Sequence, residues 1–131
     1  MTEADKYNGK VLAYVGDAVI ELFVRKKLLD TGLTDTGRLS ALALSFVTAT
    51  AQSEAFGSVE NLLDENELEI YRRGRNADLS HHPKRQKMTD YHRATGFEAL
   101  IGYLYLNGEY ERADGILTAA YEKNFGNLKL T

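Results

Sequence analysis

The stretch VLAYVGDAVIELFV, residues 11–24, is apolar at almost every position, yet it carries Gly16 and Asp17 side by side at its middle. It is long enough for more than three helical turns, and its apolar residues fall on every side, which predicts a buried helix rather than a strand. Glycine in a helix interior costs about 1 kcal/mol relative to alanine, and aspartate is a poor helix former too. A carboxylate in apolar surroundings costs more still unless it is paired or changes its pKa. Asp17 therefore demands a partner.

A matching feature lies far along the chain. In FEALIGYLYL, residues 97–106, Glu98 is the only charged side chain, and Gly102 stands close by. If these two helices pack together, Asp17 and Glu98 converge, and two carboxylates at one spot must share a proton or hold a cation. Mg²⁺ suits such a site, since it accepts one or two carboxylates, keeps several waters and is completed by substrate phosphates. The plainer alternative is a solvated or arginine-paired carboxylate on each helix. Glu21, one turn after Asp17 on the same face, reads as a further ligand, an outer contact or an exposed acid.

Helical spacing dominates elsewhere, and no alternating run bounded by turn signals makes a strand. The first helix is expected to start at an Asn8 cap and to end near Leu29, with Arg25, Lys26 and Lys27 suiting its C-terminal dipole. A second helical region covers residues 38–56, with Leu39, Leu42, Phe46 and Ala49 on one stripe. Asp64 and Glu67 form a capping-box signature for a helix to about Arg75, whose end Gly74 would loosen. Residues 76–87 contain Asn, Asp, Ser and the only proline and read as a loop. Helices follow over residues 89–106 and 109–125. The fold class is all-α, a bundle of five or more helices. At 131 residues it is expected to form one domain over 1–131. Cysteine is absent, the N-terminus lacks a secretory pattern and no apolar run reaches membrane-spanning length, so a cytoplasmic protein with no membrane partner is expected.

The net charge of −3 argues against a polyanionic partner until its distribution is considered. Residues 71–93, YRRGRNADLSHHPKRQKMTDYHR, hold seven of the 16 basic side chains, two of the 19 acids and all three histidines. A basic island in an acidic chain marks a place where a polyanion can sit. Adjacent His81 and His82 in a proline loop are better read as exposed polar residues than as general acid and base, since nothing orients them.

At this point the residues carry a resemblance. LAYVGDAVIELFVRKKLL resembles the signature helix of the ribonuclease III family, TGFEALIGYLYL resembles its second acidic motif, and YRRGRNA between them, with the compact length, is similar to the minimal branch, Mini-ribonuclease III. The likeness spans roughly residues 8–122. It implies a ribonuclease III endonuclease-domain-like bundle, a Mg²⁺-dependent endoribonuclease (Mn²⁺ as a possible substitute), and Asp17 and Glu98 as the catalytic, metal-binding acids. The wider family has two further acids, at places held here by Ala13 and Thr95, so one firmly held Mg²⁺ is expected and a second is left open. Such an ion acidifies water for in-line attack and offsets charge on the phosphate.

The implied substrate is double-stranded RNA, recognised by shape through phosphates and 2′-hydroxyls. Arg72, Arg73, Arg75, Lys84, Arg85 and Lys87 are suited to backbone contacts, with Asn76, His92 and Arg93 nearer the cleavage site and Tyr91 against a sugar or in the core. The resemblance further implies a homodimer that cuts both strands, maturation of a large-subunit ribosomal RNA precursor in a bacterium or plastid, and a ribosomal protein as a candidate partner. Two rival readings remain: a catalytically degenerate relative that only binds RNA or assists ribosome assembly, and an all-α module that docks an acidic protein.

Overall fold

The computed structural model describes residues 2–77 and 88–128, and within them the chain is all helix and turn, with no strand. Helix α1 (Gly9–Leu29) begins where Asn8 Oδ1 accepts from Val11 N at 2.9 Å, a side-chain cap for one of the unpaired N–H groups of the first turn. Its inward stripe is Leu12, Ile20, Val24 and Leu28, all fully buried. The opposite face is different: Tyr14 is 81% exposed, Leu22 57% and Leu29 53%. The expectation of burial on every side is therefore corrected for α1, and Asp17 itself lies on its exposed side.

The expected continuous helix over 38–56 is also corrected, because it is two helices, α2 (Thr36–Val47) and α3 (Ala49–Val59). Thr48 adopts an extended backbone (ψ 158°), and its hydroxyl accepts from Ala51 N at 3.2 Å. A β-branched residue with a capping oxygen thus ends one helix and starts the next.

Helix α4 (Glu65–Arg75) has the full capping box. Glu67 N donates to Asp64 Oδ1 at 2.8 Å and Asp64 N donates to Glu67 Oε1 at 3.0 Å. Glu67 is buried, and Arg112 reaches it with two bonds of 2.8 Å, from Nε and Nη2. This forked pair ties helix α6 (Tyr110–Ala120) to α4. The last helical stretch expected from the sequence also breaks, at Tyr121, before the short α7 (Glu122–Gly126). Tyr121 is fully buried and donates to Phe46 O at 2.9 Å, which joins the end of the chain to α2.

Helix α5 (Met88–Leu106) is the centre, packed by α1, α3 and α4. Phe97 and every residue from Ala99 to Leu104 are buried, so its apolar residues on all sides are accounted for by the core. The most extensive helix pairing is α1 with α5. A Cβ added to Gly16 would overlap the backbone carbonyl of Glu98, and one added to Gly102 would overlap that of Leu12. The two backbones touch because both residues lack a side chain. Gly74 serves α4 in the same way: a Cβ there would overlap that of Ala99, so it seats α4 on α5 rather than loosening its end.

Because the obstacle at Gly16 is backbone, no rotamer change can relieve it. Gly16→Ala should destabilise the protein by about 3 kcal/mol or more, at the upper end of overpacking costs. Urea denaturation followed by circular dichroism measures this, and a variant as stable as wild type would disprove the backbone contact.

Candidate metal centre

The contact at Gly16 has a direct chemical consequence. Asp17 follows Gly16 on α1, and Glu98, whose own carbonyl Gly16 meets, lies one turn before Gly102 on α5. Their side chains come within hydrogen-bonding reach of each other. They line one cavity of about 260 Å³ with Lys10, Ala13, Tyr14, Gly74, Tyr91, His92 and Thr95. The juxtaposition expected from two lone acids is present.

The electrostatics follow from the placement. Burial, and then the hydrogen bond and charge of Asp17, push Glu98 up to about 8, while Gln52 on α3 pulls in the opposite direction. Glu98 thus keeps a proton where an ordinary glutamate has lost it. Among the described residues no three His, Asp or Glu side chains converge. Ala13 is buried and apolar, and Thr95 Oγ1 donates to Tyr91 O at 2.9 Å, so neither adds a ligand. Two crowded carboxyl groups with no basic counter-charge among the side chains perturbing Glu98 fit a hard divalent cation that needs one or two protein oxygens and otherwise takes water and phosphate oxygens.

Glu21 is instead ion-paired with Arg25, Nε to Oε2 at 3.3 Å. Of the nine residues expected to contact RNA, six lie among the described residues, and of these only His92 lines the cavity, where its ring meets that of Tyr91 edge-on, with centroids 5.5 Å apart. Arg72 pairs with Glu69 at 3.7 Å, Arg73 Nη1 donates to Tyr7 O at 3.4 Å, and Arg75 Nε donates to Asn76 Oδ1 at 3.2 Å, all around the C-terminal end of α4. Arg93 faces away from the acids: its guanidinium stands 5.6 Å from the Phe56 ring centroid, beside Tyr71. Arg93 therefore does not line the cavity that holds the two acids. Lys84, Arg85 and Lys87, with His81 and His82, lie outside the described residues.

Sequence reasoning passed over Lys10, Tyr14 and Gln52. Lys10 and Tyr14 carry a retrospective signal, since they precede Asp17 by two turns and by three residues and so share its face. Gln52 carries none, because only the packing of α3 on α5 brings it to Glu98.

The all-α fold thus brings two carboxyl groups together at a helix crossing, with an arginine-rich end on α4. The chain belongs to the ribonuclease III family: the Ribonuclease III domain matches residues 10–109. It is similar to proteins named Mini-ribonuclease 3. That of Symbiobacterium thermophilum is 46% identical over 109 residues, 83% of this chain and 84% of the relative. That of Enterococcus faecalis is 38% identical over 126 residues, 94% of this chain and 95% of the relative. A crystal structure of a Fusobacterium nucleatum protein matches with a TM-score of 0.82 at 30% identity, covering 95% of this chain and 99% of the other.

The raised Glu98 makes a prediction with a definite sign. Its folded value of about 8 lies above the ordinary 4.5, so its protonation stabilises the folded, metal-free protein fully below the ordinary value, and that contribution is lost as pH rises toward 8. In chelator, the melting temperature should fall over this range for wild type and fall much less for Glu98→Gln. Equal slopes for the two proteins would remove the titration from Glu98.

Proposed function

We propose that this member of the ribonuclease III family is a divalent-cation-dependent endoribonuclease of one catalytic domain, cutting double-stranded RNA with Asp17 and Glu98 as its metal-binding acids. The observation that carries the reading is the meeting of these two carboxyl groups at the α1–α5 crossing, in a cavity open to solvent and next to Lys10 and His92. A cation held there, Mg²⁺ or Mn²⁺, supplies Lewis acidity for phosphodiester hydrolysis. The chain's own residues do the rest. Asp17 and Glu98 provide fixed negative charge and oxygen ligands, and the backbone contact beneath them limits how far either can drift.

Arg72, Arg73 and Arg75 bring positive charge to the end of α4, whose Gly74 also lines the cavity, so a duplex lying across the acids has phosphates to offer them. Lys84, Arg85 and Lys87 belong to the same basic stretch of sequence and extend the charge available to the backbone. One such site cuts one strand. Val11, Tyr14, Leu22 and Leu29 leave an apolar stripe exposed on α1 beside Asp17, and a twofold partner seated on it gives a homodimer with two sites. The finer assignment, maturation of a large-subunit ribosomal RNA precursor in the bacterial cytoplasm with a ribosomal protein as presenter, rests on the resemblance to the minimal branch.

A second reading, an RNA binder without catalysis, is favoured by the two-acid site, since Ala13 and Thr95 supply no further ligand. One assay separates the two. Wild type with Mg²⁺ should cleave a labelled RNA duplex, and Asp17→Asn, Glu98→Gln or chelator should each lower the rate by about 10²-fold or more, the scale of losing a main electrostatic stabiliser. Duplex binding without cleavage by all three proteins would favour the binder.

A further inference from the structure

Gln52 is 2% exposed, on the face of α3 that packs on α5. Its Nε2 is buried and has no hydrogen-bond partner. Native folds leave few such donors, because each forfeits its bonds to water without replacement. The amide nevertheless lies close enough to the Glu98 carboxyl to favour its charged form. The unpartnered donor is thus placed beside the Glu98 carboxyl.

We propose that Gln52 is a positioning residue of the metal centre: in the cation-loaded protein its Nε2 donates to the Glu98 carboxylate and holds that carboxylate beside Asp17. The amide is a donor kept in reserve. A carboxylate that ligates a cation is as a rule itself hydrogen-bonded by a neighbouring group, and the orphaned N–H group of Gln52 is the donor placed to do this for Glu98. Gln52 sits on a third helix, so the centre is braced from α3 as well as built from α1 and α5. The inference rests on the metal-centre reading above.

Titration calorimetry with Mn²⁺ alone, in place of an RNA assay, tests it on wild type, Gln52→Met and Asp17→Asn. Methionine keeps the length and loses the donor. Gln52→Met should bind Mn²⁺ about 10-fold or more weakly, the usual scale for losing a partner behind a ligand. Its metal-free melting temperature should equal or exceed that of wild type, since an unpaired donor has been removed. Unchanged Mn²⁺ affinity overturns the proposal and leaves Gln52 as core filling. A wild type that binds no Mn²⁺, or an Asp17→Asn that binds as well, overturns the metal-centre reading itself and this proposal with it. Heteronuclear NMR on wild type needs no variant to fold: on Mg²⁺ saturation the Gln52 side-chain amide should shift and exchange with water more slowly. An amide unmoved by Mg²⁺ at saturation also overturns the proposal.

Discussion

Everything in this molecule hangs on two helix backbones touching. Gly16 on α1 and Gly102 on α5 remove the side chains that would hold the helices a normal distance apart, and each faces a carbonyl of the other helix. Helix packing normally sets interaxial distance by the residues at the crossing, commonly 8–10 Å, and glycine takes it to the short end. The residues beside that contact inherit its precision. Asp17 and Glu98 meet because their backbones are fixed, with little left to side-chain rotation. The cost of glycine inside two helices is offset by the burial of Leu12, Ile20, Leu100 and Ile101, all fully enclosed around it.

The remaining helices consolidate this crossing. Helix α4 is seated on α5 through Gly74 and held from its far end by the Glu67–Arg112 fork. The ring of Tyr71 stacks on Phe56 with centroids 3.7 Å apart, which joins α4 to α3. The Glu67–Arg112 pair is less a source of net stability than a fastening that cannot be broken cheaply, because the buried Glu67 carboxylate would be left uncompensated without Arg112. The arginines at the end of α4 are thereby held on a rigid support.

Much of this was legible in the sequence, for identifiable reasons. The capping signals at Asn8 and at Asp64 with Glu67 are local, and the structure keeps each of them. The pairing of two lone acids was legible because each stands out against an apolar helix with a glycine nearby. What failed was non-local or ambiguous. The break at Thr48 hides in a sequence whose helical spacing runs on across it, and only the torsion at one residue separates α2 from α3. The exposed face of α1 could not be told from a buried one, since Tyr14, Leu22 and Leu29 are apolar whether they meet a core or a partner. Arg93 was grouped with His92 because they are neighbours in sequence, yet adjacent positions on a helix point about 100° apart, and the two serve different faces. Gln52 had no signal, because its meaning lies wholly in what α3 packs against.

The crossing also joins the beginning of the chain to its later part. Most of the sequence must be made before Gly102 can find Gly16, and closing so long a loop is among the slower steps available to a small helical protein. A nascent or truncated chain ending before α5 holds only one of the two carboxylates, and a chain whose first helix has come away holds them far apart. Neither is half a catalytic site. Acquisition of the fold and the meeting of the two carboxyl groups are one event, so any chemistry that needs both is withheld from every partly formed version of the molecule.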